Sequence, residues 1–115
     1  MHATEVLGHY ATEFHRQPLP EAVIHHAKRA VIDWYASLFP GLAAAPVAIL
    51  EQALVEDLDR GRARLGNGRS STARTAALIN GTAAHAAEVD DSFRDAMYHP
   101  GAATIAAALA AAQDR

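Results

Sequence analysis

From Ala73 to Ala112 the chain consists mostly of small side chains. Alanine recurs through ARTAALINGTAAHAAEV and again through GAATIAAALAAA. Alanine is the best helix former, so both runs are read as helices. It also buries little area. Fully burying a leucine gives about 1.5–3 kcal/mol, and alanine much less. Two such helices can bring their axes close together, but they build a core poor in bulk. Gly81, inside the first run, costs about 1 kcal/mol against alanine and is read as permitting that close approach. The chain is thus constrained to helix-on-helix packing, and is read as part of a larger helical body rather than a self-sufficient five-helix bundle.

The rest of the chain supports an all-α reading with about five helices in one domain, residues 1–115. Thr4 is expected to cap a first helix whose Val6, Leu7, Tyr10 and Phe14 recur at helical spacing. Pro18 and Pro20 interrupt it, and Pro20 suits the first position of a second helix over 20–38. There Val23, Ile24, Ala27, Val31, Trp34, Tyr35 and Leu38 form one apolar stripe. His25 and His26 within it are read as packing or surface residues. Pro40 and Gly41 end it. A third helix is expected over 46–59, with Val47, Leu50, Leu54 and Leu58 on one side. RARLGNGRSST then has no helical period and reads as a loop or short extended excursion. Ser71 or Thr72 can cap a fourth helix over 72–88, and a fifth starts near Pro100.

Composition excludes several classes. The 115 residues have a net charge of −3, which leaves no basic footprint for nucleic acid. Arg60, Arg62, Arg64 and Arg69 cluster, but without interleaved aromatics they read as a solvated loop. GNGRSS has neither the P-loop lysine nor dinucleotide spacing, so a turn is the better reading. There is no cysteine, hence no disulfide, thiolate ligand or cysteine nucleophile. MHATEVLGHY is too polar for a signal peptide, and the longest apolar stretch, IAAALAAA, is far short of a membrane span. A cytoplasmic protein without membrane contact is the expectation.

The chemistry lies in AAEVDDSFRDAMYHPGA, residues 86–102. Asp90 and Asp91 fall at the expected end of the fourth helix, where the dipole opposes acids. His99-Pro100-Gly101 falls at the start of the fifth, where free N–H groups favour anions. Such a junction suits a carboxylate ligand and proton transfer at its carbon. His99 is the natural general acid or base, with Asp90 and Asp91 to set its orientation and charge. Ser92 and the helix start at Gly101 would hold the substrate, and Arg94 could bind its carboxylate. Each residue also has a plainer reading: Asp90 as a turn cap, Asp91-Ser92 as loop solvation, His85 as a packing histidine. Two metal readings are weaker. Asp90, Asp91 and Asp95 make a DDxxxD pattern, but the second acidic cluster that magnesium-diphosphate sites need is missing. His85, Asp90 and His99 could ligate zinc, but no recognised spacing joins them.

The segment ALINGTAAHAAEVDDSFRDAMYHPGAATIAAALAAAQ resembles the signature region of the MmgE/PrpD family, which includes 2-methylcitrate dehydratases and cis-aconitate decarboxylases. The matching elements are Asn80-Gly81-Thr82, His85-Ala86, Glu88, Asp90-Asp91-Ser92 and His99-Pro100. LPEAVIHHAKRAVIDWYASLFPG and LGNGRSSTARTAALING are similar to upstream parts of the family, so the resemblance spans nearly the whole chain. It implies the helical part of a two-domain, dimeric enzyme with no metal and no organic cofactor. The implied substrates are small di- and tricarboxylates undergoing elimination, decarboxylation or epimerisation. Carried across, the acidic position before the Asp pair falls on Glu88, where several relatives have Asp. The hydroxyl position falls on Ser92 and the catalytic imidazole on His99. Family members are several times longer and draw lysine, histidine and tyrosine from later segments, whereas the only lysine here is Lys28. The resemblance therefore implies part of a lyase or isomerase site, completed by a C-terminal partner chain or in a homodimer. The reading from a different class is a non-catalytic helical interaction module.

Overall fold

The centre of the molecule is α4, Ala73–Ala86, and every other packed element is arranged around it. The computed structural model describes residues 2–14 and 16–115. Its remaining helices are α1 (Ala3–Phe14), α2 (Glu21–Gly41), α3 (Ala45–Ala53) and α5 (Pro100–Gln113). A two-stranded antiparallel sheet, β1 (Leu58–Arg64) and β2 (Ser70–Ser71), lies between α3 and α4. The all-α expectation is thereby corrected: the fold is mainly helical with one small hairpin.

The core runs along α4. Ala76, Ile79, Ala83 and Ala84 meet Trp34 and Leu38 of α2, Val47 of α3, Leu58 and Ala63 of β1, and Ala106 and Ala110 of α5. The small residues set the spacing, as their composition implied. A Cβ added to Gly81 would stand 3.0 Å from the Ala102 carbonyl oxygen on α5. At Gly41 the approach is closer still, with the added Cβ only 1.7 Å from the Ala83 carbonyl oxygen. Pro40 sits inside the last turn of α2 rather than ending it, and the helix stops at Gly41. Pro20 takes the N-cap position, one residue before the helix.

The expected helix over 46–59 is too long by six residues. It ends at Ala53, a 3₁₀ turn follows over Val55–Asp57, and Leu58 enters β1. Leu58 is buried in the strand, as the stripe required of it in a helix, so the spacing Leu50-Leu54-Leu58 could not separate helix from strand. What decides it is polar: the Asp57 carboxylate takes a 2.6 Å hydrogen bond from the Thr75 hydroxyl at the start of α4. The GNGRSS stretch is a hairpin turn. Gly68 there has φ +91°, and the Leu65 N–H donates to the Arg69 carbonyl at 2.9 Å.

Thr72, not Ser71, caps α4, its hydroxyl accepting from the Thr75 N–H at 3.4 Å. Thr4 lies within the first turn of α1 instead of capping it; there the His2 carbonyl accepts from the Glu5 and Val6 N–H groups. The α1 stripe of Val6, Leu7, Tyr10 and Phe14 forms at helical spacing, yet α1 buries none of its residues. Among the described residues, no single helix is long and apolar enough to cross a membrane.

Candidate active site

Between α4 and α5 the small side chains leave an open groove of about 770 Å³. Its floor is Ala77, Gly81, Ala102 and Ala103, with Leu78 and Thr82 along one wall. His85 and His99 stand at one end, next to Met97 and Tyr98. Close helix packing makes a groove here because an alanine or glycine fills less of the interhelical space than a leucine would.

The Asn80-Gly81-Thr82 motif now has a physical division of labour. Asn80 is buried, its side-chain oxygen accepting from the Gly66 N–H and its amide donating to the Arg64 carbonyl, both at 2.8 Å. It fastens the hairpin to α4. Gly81 admits α5, and Thr82 faces the groove. Asn80 was singled out from sequence only as part of the motif, although a lone amide in an alanine run already signals a buried polar bond.

The loop from α4 to α5 is held at both ends. Glu88 ends the turn after α4 at φ +52°, its N–H donating to the His85 carbonyl at 3.0 Å. The buried Ser37 hydroxyl of α2 lies 3.5 Å from the Val89 carbonyl that accepts from it. Phe93 and Tyr98 then pair as a bridge around a 3₁₀ turn at Arg94–Ala96, with Met97 at φ +46°. That tight loop delivers His99 to the N-cap of α5.

Asp90 is the pivot. Its side chain is only 2% exposed, and it lies between the two imidazoles. His85 donates from Nδ1 to Asp90 Oδ2 at 2.9 Å. His99 Nδ1 stands 3.6 Å from Asp90 Oδ1 and donates instead to the Asp91 backbone carbonyl at 2.8 Å. A carbonyl oxygen can only accept, so Nδ1 of His99 carries a proton, and in the neutral ring the lone pair is on Nε2. The rings of His85 and His99 are 4.9 Å apart. Oδ1 of Asp90 is buried without any hydrogen-bond partner.

The other predicted residues divide. Asp91 touches His99 through its backbone, while its carboxylate accepts from the Gly101 N–H at 3.0 and 3.2 Å and so satisfies the start of α5. Gly101 therefore gives its N–H to the protein's own carboxylate, and a Cβ there would stand 2.6 Å from Asp91 Oδ1. The Ser92 hydroxyl is 3.5 Å from His99 Nδ1. Glu88 and Arg94 are exposed and lie outside the groove lining. Among the described residues no arginine or lysine lines the groove.

A second polar cluster sits at the opposite end of α4. Asp57 is held below the usual carboxylate range, first by the Thr75 hydroxyl and then by Arg74. Asp59 is lowered by its hydrogen bond from Arg69, at 2.6 Å. These bonds use Arg69 and Arg74 to anchor the hairpin.

Residues 5–115 match the MmgE/PrpD N-terminal domain. The chain belongs to the MmgE/PrpD family. The match covers the groove, both histidines and the Asp pair, in agreement with the resemblance carried by the signature segment. No curated protein and no solved structure matches the chain.

Proposed function

We propose that this MmgE/PrpD N-terminal domain contributes the proton-handling part of a lyase or isomerase site for a small polycarboxylate. His99 moves a proton to or from the carbon next to a substrate carboxylate. Its Nδ1 is committed to Asp91, which fixes the ring and leaves Nε2 as the working atom. The observation that carries this reading is the buried Asp90 carboxylate beside both histidines at the end of the groove. A carboxylate there stabilises the imidazolium that forms when His99 accepts a proton. Ser92, whose hydroxyl is 3.5 Å from His99 Nδ1 although it lies outside the groove lining, is assigned the role of holding substrate.

Among the described residues no arginine or lysine lines the groove to meet a polycarboxylate, and it is open along one side. Met97 on its rim is 93% exposed, and Tyr98 and Leu78 are half exposed. An apolar rim of this kind is stabilised by cover. The missing wall and the missing positive charges are therefore assigned to a later family segment, in the same polypeptide, a partner chain or a second copy.

The test is an assay of the domain assembled with a C-terminal MmgE/PrpD segment, following hydration, decarboxylation and epimerisation of small polycarboxylates. His99→Ala should abolish turnover and leave assembly intact. Undiminished turnover in that variant would reject the assignment. The second reading, a non-catalytic association module, draws on the exposed apolar face of α1. It requires stable self-association, through that face or the alanine-rich helices, that is indifferent to changes at His99 or Asp91.

A further inference from the structure

Away from the groove, a cavity of about 120 Å³ lies at the seam of α2, the hairpin and the last turns of α5. It shares no lining residue with the groove. Trp34, only 3% exposed, forms part of its wall, and the indole N–H has no hydrogen-bond partner. The Tyr35 ring packs edge-on against that indole, with centroids 5.0 Å apart. An indole N–H can only donate, and leaving it buried and bare is unfavourable. The other polar groups of the lining share this one-sidedness. Asn80 is engaged by the hairpin. The Gln113 side-chain oxygen accepts from the Arg64 backbone N–H at 2.8 Å, which leaves the Gln113 amide to donate. The Arg64 guanidinium donates to the Gly68 carbonyl at 3.3 Å and has further N–H groups free to donate. Among the described residues no aspartate or glutamate lines the cavity, and Leu38, Leu65 and Leu109 give it an apolar side.

We infer that this cavity binds a small aliphatic monocarboxylate. Its carboxylate accepts from the Trp34 indole and the Arg64 guanidinium, and its alkyl part lies against the three leucines. A single water needs roughly 10–15 Å³ of accessible space, so the cavity holds a larger occupant. A second carboxylate on the ligand would be pressed against the leucines, which disfavours a diacid. The C-terminal end of α5, whose dipole opposes an anion, is capped by Arg62 donating to the Asp114 carbonyl. The site lies at the opposite end of α5 from His99, about 20 Å along the helix. It stands whether or not the domain takes part in proton transfer.

Trp34 is the only tryptophan, so its indole N–H gives a single proton NMR resonance that reports on the cavity directly. Titration of the protein with propionate is expected to move that resonance downfield and to saturate. Sodium chloride at the same ionic strength should leave it in place, and propionamide should bind at least tenfold more weakly. Arg64→Gln should weaken propionate binding about tenfold or more, as loss of a charged hydrogen bond does. Arg29→Gln, on the exposed surface of α2, should leave it unchanged. Trp34→Phe should abolish binding measured by calorimetry, with folding verified by circular dichroism. Because Arg64 is exposed, its variant decides the matter if Trp34→Phe does not fold. An indole resonance that does not saturate with propionate, an equal response to chloride or propionamide, or unchanged affinity in Arg64→Gln would overturn the site.

Discussion

Asp57 and Asp90 sit in polar knots at opposite ends of α4, and the fold treats them in opposite ways. Asp57 lies near the N-terminus of the helix, where the dipole favours an acid. Its carboxylate is bonded by Thr75 and Arg74, and its backbone carbonyl by the Ser71 hydroxyl at 3.2 Å. Asp90 lies beyond the C-terminus of the helix, where the dipole opposes it, and is buried more deeply. It nonetheless keeps one oxygen without a partner. An acid with all its partners inside the fold is a fastening. An acid set against the helix dipole, beside two imidazoles and with one oxygen lacking a partner, is where the proposed proton transfer is assigned.

The largest effect that would break this contrast is on turnover. In the assembled enzyme His99→Asn is expected to lower kcat by about 10²–10⁴, the range of a lost general acid or base, with the melting temperature nearly unchanged. Asp57→Asn should do the reverse, lowering the melting temperature and sparing kcat. Next in size is Gly41→Ala, which attacks the frame holding both knots. The new Cβ collides with the Ala83 backbone rather than with a movable side chain. A loss of about 3 kcal/mol or more is expected, measurable by urea unfolding.

The two aspartates can then be compared directly by thermal unfolding. Asp57→Asn weakens the bonds to Thr75 and Arg74 and should destabilise. Asp90→Asn removes a buried charge that lacks full compensation, and should leave the melting temperature unchanged or raised while kcat falls. The smallest effect is on acid stability. Asp57 and Asp59 titrate lower in the fold than when unfolded. Their stabilisation is complete above the unfolded value of about 3.9 and is lost as pH falls through the lower folded values. Asp57→Asn should flatten the decline of stability in that acid range.

What could be read from sequence followed from periodicity and small residues. Of the α2 stripe only Trp34 and Leu38 are buried, while Val23, Ile24 and Tyr35 stay exposed; Gly81 admitted α5, and Thr72 capped α4. Periodicity failed where two structures bury the same residue. Leu58 ends the 50-54-58 spacing yet belongs to β1, and the bonds that turned the chain came from Thr75 and Arg74, distant in sequence. In the candidate site the loop 86–102 was legible as the polar exception between two alanine runs. The individual partners were not. That Asp91 would spend its carboxylate on Gly101, or that Asp90 would reach back to His85, depends on how the Phe93–Tyr98 bridge folds the loop over. His85 and His99 come together across a turn with no fixed spacing, which is why their pairing around Asp90 left no motif.

The central claim is that His99 carries a proton at the carbon beside a substrate carboxylate. It is tested most directly by proton NMR in D₂O, following exchange at that carbon in a bound polycarboxylate by the assembled enzyme. The expected result is deuterium incorporation in the parent enzyme and its loss in His99→Asn, with binding retained. Exchange at an equal rate in the variant would contradict the claim.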